Sequence, residues 1–361
     1  MYISRERALF IKPISGTVKS LAVYDKNTGQ QLRYVKNFNK PLLIRESFYR
    51  EHKLVWIDNK GLRNEYEFPP FKTVLIEMHS RALGDQIAWI PIIDLFQKKH
   101  DCKVIVRCYF PELLSPFYPN IEFKRQYFDG EEIPKGLDST IECDAAYVVG
   151  YTPFGMMFGD NKVSPVDVRP IALQGIACVQ LGFPIQEIQP KFYSNIKEPL
   201  IKGKYVCITT CGTVEMKKWH NPNGFKDVVA YLLSKGYQVI DLGNESSNID
   251  GVTSMNGLME WNKLMNILQH SELMVSTTNG LQWLAYAVGT KVVSINGNTI
   301  PETLFKHSQV INYDVCHGCF NDVKHVFNAS DKNYCPRKKN FECSREISSE
   351  MVINEIKKIL C

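Results

Sequence analysis

The sequence predicts an α/β protein made of two doubly wound halves facing a cleft, with a β-rich segment in front and a cysteine array behind. Three observations carry this expectation. From residue 72 onward, apolar runs of strand length alternate with helical stretches, the order expected of parallel sheets covered by helices. The alternation pauses between Gln189 and Lys204, where two prolines, a glycine and several charges mark a linker, and then restarts. The first seventy residues show short extended runs and no convincing helical period.

Taken in order, LFIKPI, SLAVYD, LRYVKN and LVWIDN read as strands, with KNTG and DNKG supplying turn residues between them. They make an accessory domain of residues 1–70. TVLIEM is then a buried strand, GDQIAWIPIIDLFQKKH a helix with an apolar face, and KVIVRCYF and DAAYVVGY two further strands. SPVDVRPIALQGIACVQLGF opens with Ser164 and Pro165, a cap and first-turn pair, and reads as a helix. This gives a first Rossmann-like domain, 71–195. After the linker, YVCITT, YQVIDLG, LMVSTT and KVVSING are strands, and GFKDVVAYLLSKG, MEWNKLMNILQHS and a segment from Gly280 are helices. They form a second Rossmann-like domain, 196–315. The cysteine array occupies 316–345 and a C-terminal helix 346–361.

Composition narrows the function classes. The chain has 361 residues, 44% hydrophobic and 22% charged, as in soluble globular proteins. No run approaches the ~18 apolar residues of a membrane span, so no membrane insertion is expected. The N-terminus, MYISRERALFIKP, lacks an apolar core of signal-peptide length, and a cytoplasmic location is expected. A net charge of +5 suits a small anionic ligand and falls short of a nucleic-acid binder. Eleven cysteines, scattered apart from one cluster, argue for a reducing compartment rather than a disulfide framework.

In a two-lobed α/β protein, ligands gather at the carboxyl ends of the strands, so functional residues are expected in the strand-to-helix turns. HSRALGDQIAWIP contains Gly84, which allows a close turn, and Asp85 at the mouth of the helix. A carboxylate there either caps the helix, the commoner role, or does chemistry. TTCGTVEMKKWHNP places Lys217, Lys218 and Trp219 before the next helix. The lysine pair is either a solvated loop or a counter-charge for a departing nucleotide diphosphate. STTNG, with Thr277, Thr278, Asn279 and Gly280, combines hydroxyls, an amide and free helix N–H groups, which suit phosphate oxygens but also an ordinary capped turn. No GxGxxG follows the first strand, which disfavours a nicotinamide cofactor.

The array VCHGCF, NYCP and FECS sets Cys316, Cys319, Cys335 and Cys343 in a C-x2-C-x15-C-x7-C pattern within a polar stretch. Four thiolates suit a tetrahedral metal site; zinc is the default on ligand type, and iron accepts the same set. A closed shell leaves no open position for substrate, so the metal acts as a clip. His317 and His325 are not needed once four cysteines fill the shell.

These turns and the cysteine pattern, in this order, resemble the heptosyltransferases, and among them the bacterial autotransporter heptosyltransferases. The resemblance implies the GT-B fold, a β-rich N-terminal domain and a four-cysteine iron finger. It implies an inverting glycosyltransferase moving heptose from ADP-heptose to serine hydroxyls of an autotransporter passenger, with Asp85 as general base. On that footing the first Rossmann-like domain takes the acceptor and the second the nucleotide sugar. Lys217, Lys218, Thr277, Thr278, Asn279 and Gly280 are then donor-binding candidates, Trp219 closes over adenine or sugar, and His79, Arg81 and Gly84 line the same cleft. The resemblance also implies iron at the four cysteines and a homo-oligomer. The DTGxxH turn of the lipopolysaccharide-core enzymes reads Thr278-Asn279-Gly280-Leu281-Gln282-Trp283 here, without acid or histidine. Two alternatives stay open: a lipopolysaccharide-core heptosyltransferase, and a metal-clipped binding or scaffold protein without catalysis.

Overall fold

The computed structural model describes the chain outside residues 5–8, 14–17, 45–48, 128–140, 152–166, 211, 213, 258, 326–332 and 361. Ser164 and Pro165, expected to open a helix, lie outside the described residues, as do Cys211 and Cys361.

Seven strands come first: β1 (Tyr2–Ser4), β2 (Leu9–Lys12), β3 (Val18–Asp25), β4 (Gln31–Phe38), β5 (Leu42–Ile44), β6 (His52–Ile57) and β7 (Arg63–Glu67). They pair antiparallel in two sheets, ordered β1-β2-β5 and β4-β3-β6-β7. Both expected turns form. The Asp25 carboxylate accepts from the amides of Asn27 and Thr28, and Gly61 takes a left-handed φ of 88° in the second turn, which glycine adopts without a Cβ penalty. Leu9, Ile11, Leu21, Val23, Phe38, Ile44 and Leu54, drawn from both sheets, share one small core.

The next elements are β8 (Thr73–Met78), α1 (Leu83–His100), β9 (Lys103–Cys108), α2 (Pro111–Leu114), β10 (Ile121–Arg125), β11 (Ala145–Val149) and α3 (Leu173–Gln180). The four strands form a parallel sheet ordered β10-β9-β8-β11. Among the described residues of the stretch expected to be helical from Ser164, 167–172 are turn and loop and the helix begins at Leu173. Trp89 of α1 donates through Nε1 to the carbonyl of Leu173 at 2.8 Å, tying α1 to α3.

The remaining elements are β12 (Tyr205–Thr209), α4 (Gly224–Ser234), β13 (Gln238–Asp241), β14 (Val252–Ser254), α5 (Trp261–Gln269), β15 (Leu273–Thr277), α6 (Gly280–Ala287), β16 (Val292–Ile295), β17 (Ser308–Val310), α7 (Glu342–Arg345) and α8 (Ser349–Leu360). Six of them make a second parallel sheet, ordered β14-β13-β12-β15-β16-β17. α8 returns against this sheet and buries Val352 and Ile356 in its core. The expected linker has no regular structure and is strapped to α5. Fully buried Asn266 donates to the carbonyls of Ile196 and Glu198 and accepts from the amide of Leu200.

Two helix starts meet where the halves join. A Cβ on Gly84 would stand 2.7 Å from Trp283 Cδ1, and one on Gly280 would stand 2.9 Å from the Leu83 Cβ. Only glycines let α1 and α6 approach this closely. Among the described residues no helix is long and apolar enough to cross a membrane.

Candidate active site at two switch points

Each parallel sheet reverses its winding once, between β8 and β11 in the first and between β12 and β15 in the second. Crevices beyond the carboxyl ends of strands open at such points. The loops after β8, β11, β12 and β15 all contribute to one cavity of about 260 Å³ between the halves. Ser80, Asp85 and Tyr151 line it from the first half, and Lys217, Thr278, Asn279, Gly280 and Asn298 from the second.

Asp85 is not the helix cap. The N-cap position of α1 is Ala82, with no side-chain hydrogen bond. Instead the Ser80 hydroxyl donates to Asp85 Oδ2 at 2.5 Å and accepts from the Ala82 amide. The turn is held from below by fully buried Gln86, which donates to the Ser80 carbonyl and accepts from the amides of Tyr109 and Phe110. Burial raises the Asp85 pKa above the usual carboxylate value, against the pull of the Ser80 hydrogen bond and the Lys217 charge. Burial, with a smaller contribution from the Asp85 charge, pushes the Tyr151 phenol well up, so Tyr151 stays neutral.

Lys217 ends a short 3-10 turn, Glu215–Lys217, that follows β12. Burial lowers its pKa while Asp85 raises it. The two groups are therefore each pushed toward neutrality by the cavity and toward charge by one another. On the facing turn, Asn279 caps α6, its Oδ1 accepting from the amides of Leu281 and Gln282. The Thr278 hydroxyl donates to Asn298 Oδ1 at 2.9 Å. A carboxylate opposite an ammonium and a helix N-terminus can take a proton on one side and hold an anion on the other.

The glycosyltransferase family 9 (heptosyltransferase) model matches residues 179–322. The autotransporter heptosyltransferase BAHTCr of Citrobacter rodentium is 33% identical over 307 residues, covering 80% of this chain and 71% of that protein. The chain belongs to the autotransporter heptosyltransferases. A second relative, TibC of Escherichia coli O78:H11, is 31% identical over the same shares of both chains. The crystal structure of TibC, an iron-containing dodecameric glycosyltransferase, aligns with a TM-score of 0.85 at 25% identity, over 99% of this chain and 95% of that one. The GT-B architecture follows. A third relative, BimC of Burkholderia thailandensis, is 30% identical over 80% of this chain and 69% of its own, and is described as inactive.

Within this heptosyltransferase, the residues singled out in sequence separate into two groups. Asp85, Gly84, Lys217, Thr278, Asn279 and Gly280 meet at the cavity. His79, Arg81, Lys218, Trp219 and Thr277 do not line it. His79 lies 3.7 Å from Glu77, Arg81 is exposed, and Thr277 is buried at the end of β15. Lys218 pairs with Glu215 at 2.8 Å on the surface. Trp219, expected over adenine or sugar, is instead a core residue. It is 8% exposed, donates to the Ile347 carbonyl at 2.9 Å and packs edge-on against Phe225. An indole at that place fills the space under α4 and α8 rather than the cleft. Tyr151, Asn298 and Phe320 were not singled out; their common signal is position, since two follow strand ends and Phe320 directly follows Cys319.

The four cysteines of the array are free thiols. Burial, with the charges of neighbouring thiols, pushes Cys319 up to about 11 and Cys343 up to about 12. The charges of the other three cysteines contribute to the shift at Cys343. Gly318, at a left-handed φ of 66°, turns the C-x2-C segment, and the Lys339 amide donates to Cys335 Sγ at 3.4 Å. Hydrogen bonds of this type favour a thiolate. Among the described residues no group of three or more His, Cys, Asp or Glu side chains stands in metal-holding geometry. The donor chemistry fits a tetrathiolate site, and the sulfur positions would have to draw together around an ion.

Proposed function

We propose that this chain transfers heptose from ADP-heptose to serine hydroxyls of an autotransporter passenger, with inversion at the anomeric carbon. The observation that carries the reading is that Asp85 from the first half and Lys217 from the second half line one cavity between the two switch points. Asp85 is the general base. Its Oδ2 is held by Ser80, which leaves Oδ1 for the incoming hydroxyl. As that hydroxyl attacks the anomeric carbon, Asp85 takes its proton and the bond from carbon to the pyrophosphate oxygen breaks. ADP leaves carrying the electron pair, and Lys217 and the α6 N-terminus offset the charge it develops. A carboxylate with a raised pKa is a better proton acceptor than an ordinary one, provided it is still ionised at working pH.

The relative TibC has been crystallised with ADP-D-beta-D-heptose, which supports the choice of donor. Its description as iron-containing and dodecameric supports iron at Cys316, Cys319, Cys335 and Cys343 and a homo-oligomer here. Zinc is the competing ion for such a donor set. The ion would tie the array to the second half; no step of transfer passes through it. Reduced cysteines and a nucleotide-activated donor fit a cytoplasmic location.

Intact-mass spectrometry of a passenger co-expressed with this chain, in a host making ADP-heptose, tests the reading. Heptose increments that vanish with Asp85→Asn support it; an unmodified passenger beside loaded, metal-bound wild type overturns it. One observation favours a second reading, a non-catalytic scaffold: BimC is described as inactive. Failure of wild type to hydrolyse ADP-heptose even slowly would favour that reading.

A further inference from the structure

Asn298 stands in the loop that follows β16, and it is 2% exposed. Its Oδ1 accepts from the Thr278 hydroxyl, which turns the carboxamide so that Nδ2 is its remaining polar end. Nδ2 is buried and has no partner among the described residues, while the residue lines the cavity. A buried N–H donor is rarely left unsatisfied in a finished structure, and one on a residue that lines a ligand cavity points to an acceptor that a ligand supplies.

The loop that carries Asn298 is tied by hydrogen bonds within itself and to its neighbours. Asn296 Oδ1 accepts from both the amide and the hydroxyl of Thr299. The cysteine segment then fastens it from outside: the amides of Gly318 and Phe320, either side of Cys319, donate to the carbonyls of Gly297 and Asn298 at 3.0 Å. Asn321 adds a third tie, accepting from the Ile300 amide and donating to Thr303 and to the carbonyl of Arg169 in the first half. A side chain held this firmly is preorganised for a fixed acceptor.

We propose that Asn298 binds the donor directly, its Nδ2 donating to a pyrophosphate oxygen, and that the segment around Cys319 holds it in place. The proposal rests on the donor reading above. Pyrophosphate is the acceptor-rich part of a nucleotide sugar, and the groups on the same side of the cavity, Lys217 and the start of α6, are also donors. Aspartate at this position would replace a donor by a charged acceptor of the same shape.

The test is calorimetric titration of the full chain with ADP, adenosine and inorganic pyrophosphate, with a thermal melt on each variant. Asn298→Ala is expected to weaken ADP and pyrophosphate by about tenfold to a hundredfold, and Asn298→Asp by more, with adenosine binding unchanged. Thr278→Val, which frees the carboxamide without removing it, gives a smaller loss confined to the same two ligands and serves should Asn298→Ala not fold. Wild-type ADP affinity in folded Asn298→Ala, or an equal loss for adenosine, overturns the proposal. A wild-type protein that binds pyrophosphate but neither ADP nor ADP-heptose would instead remove the donor reading, and pyrophosphate alone would then decide the role of Asn298.

Discussion

The two switch points are built to opposite standards. In the first half, the turn from Ser80 to Asp85 is closed on itself: Ser80 bonds Asp85, Gln86 bonds Ser80, and Gln86 is satisfied in turn by two backbone amides. In the second, polar groups are left over, with Nδ2 of both Asn279 and Asn298 buried and unpartnered among the described residues. The difference fits two jobs. A base must be held in one geometry before the acceptor arrives, because misplacement by an ångström costs rate. A donor site gains by leaving hydrogen bonds for the ligand to complete.

The largest effect that would break this comparison is at Asp85. Asp85→Asn keeps the shape and the Ser80 contact, and it is expected to lower transfer by about 10²–10⁴-fold, measured as heptose incorporated per enzyme, with ADP-heptose affinity retained. Lys217→Ala comes next. It should lower kcat by about 10²–10³-fold by removing charge compensation for departing ADP, and a rate close to wild type would take Lys217 out of the account. Its neighbour sharpens the contrast: Lys218→Ala removes an exposed side chain that pairs with Glu215 and does not line the cavity, and kcat/KM should not change. Trp219→Phe, which loses the bond to the Ile347 carbonyl, acts on stability and not on transfer. It should cost about 1 kcal/mol of stability in a denaturant titration and leave the KM for ADP-heptose unchanged. A raised KM would return Trp219 to the donor site.

Much of the framework could be read from the residues because buried parallel strands announce themselves. TVLIEM, YVCIT and LMVST are apolar runs, and they became β8, β12 and β15. β1, β5, β7, β10, β14 and β17 were missed; β14 and β17 are three residues long, and VTS leaves two of its three residues exposed, so neither has a run to see. Asp85 was legible as a residue at a helix mouth, but not its freedom from capping, which depends on Ala82 holding the N-cap position. The KKW run shows the limit most clearly. Three adjacent letters go to the cavity, the solvent and the core, because an irregular turn has no period to reveal which way each side chain faces. Asn298 was invisible for another reason: its partner, Thr278, is twenty residues away on a different turn.

The most direct test of Asp85 as a preset base is the pH dependence of single-turnover transfer in wild type and Ser80→Ala. In the folded protein burial raises the Asp85 pKa, while the Ser80 hydrogen bond pulls it down. Deleting the hydroxyl therefore raises the pKa further, and more alkaline conditions are needed to ionise the base. The acid limb of the profile should move to higher pH, and the plateau above it should fall because the base is no longer held by Ser80. An acid limb that does not move, in a variant that still transfers heptose, would contradict the assignment of Asp85.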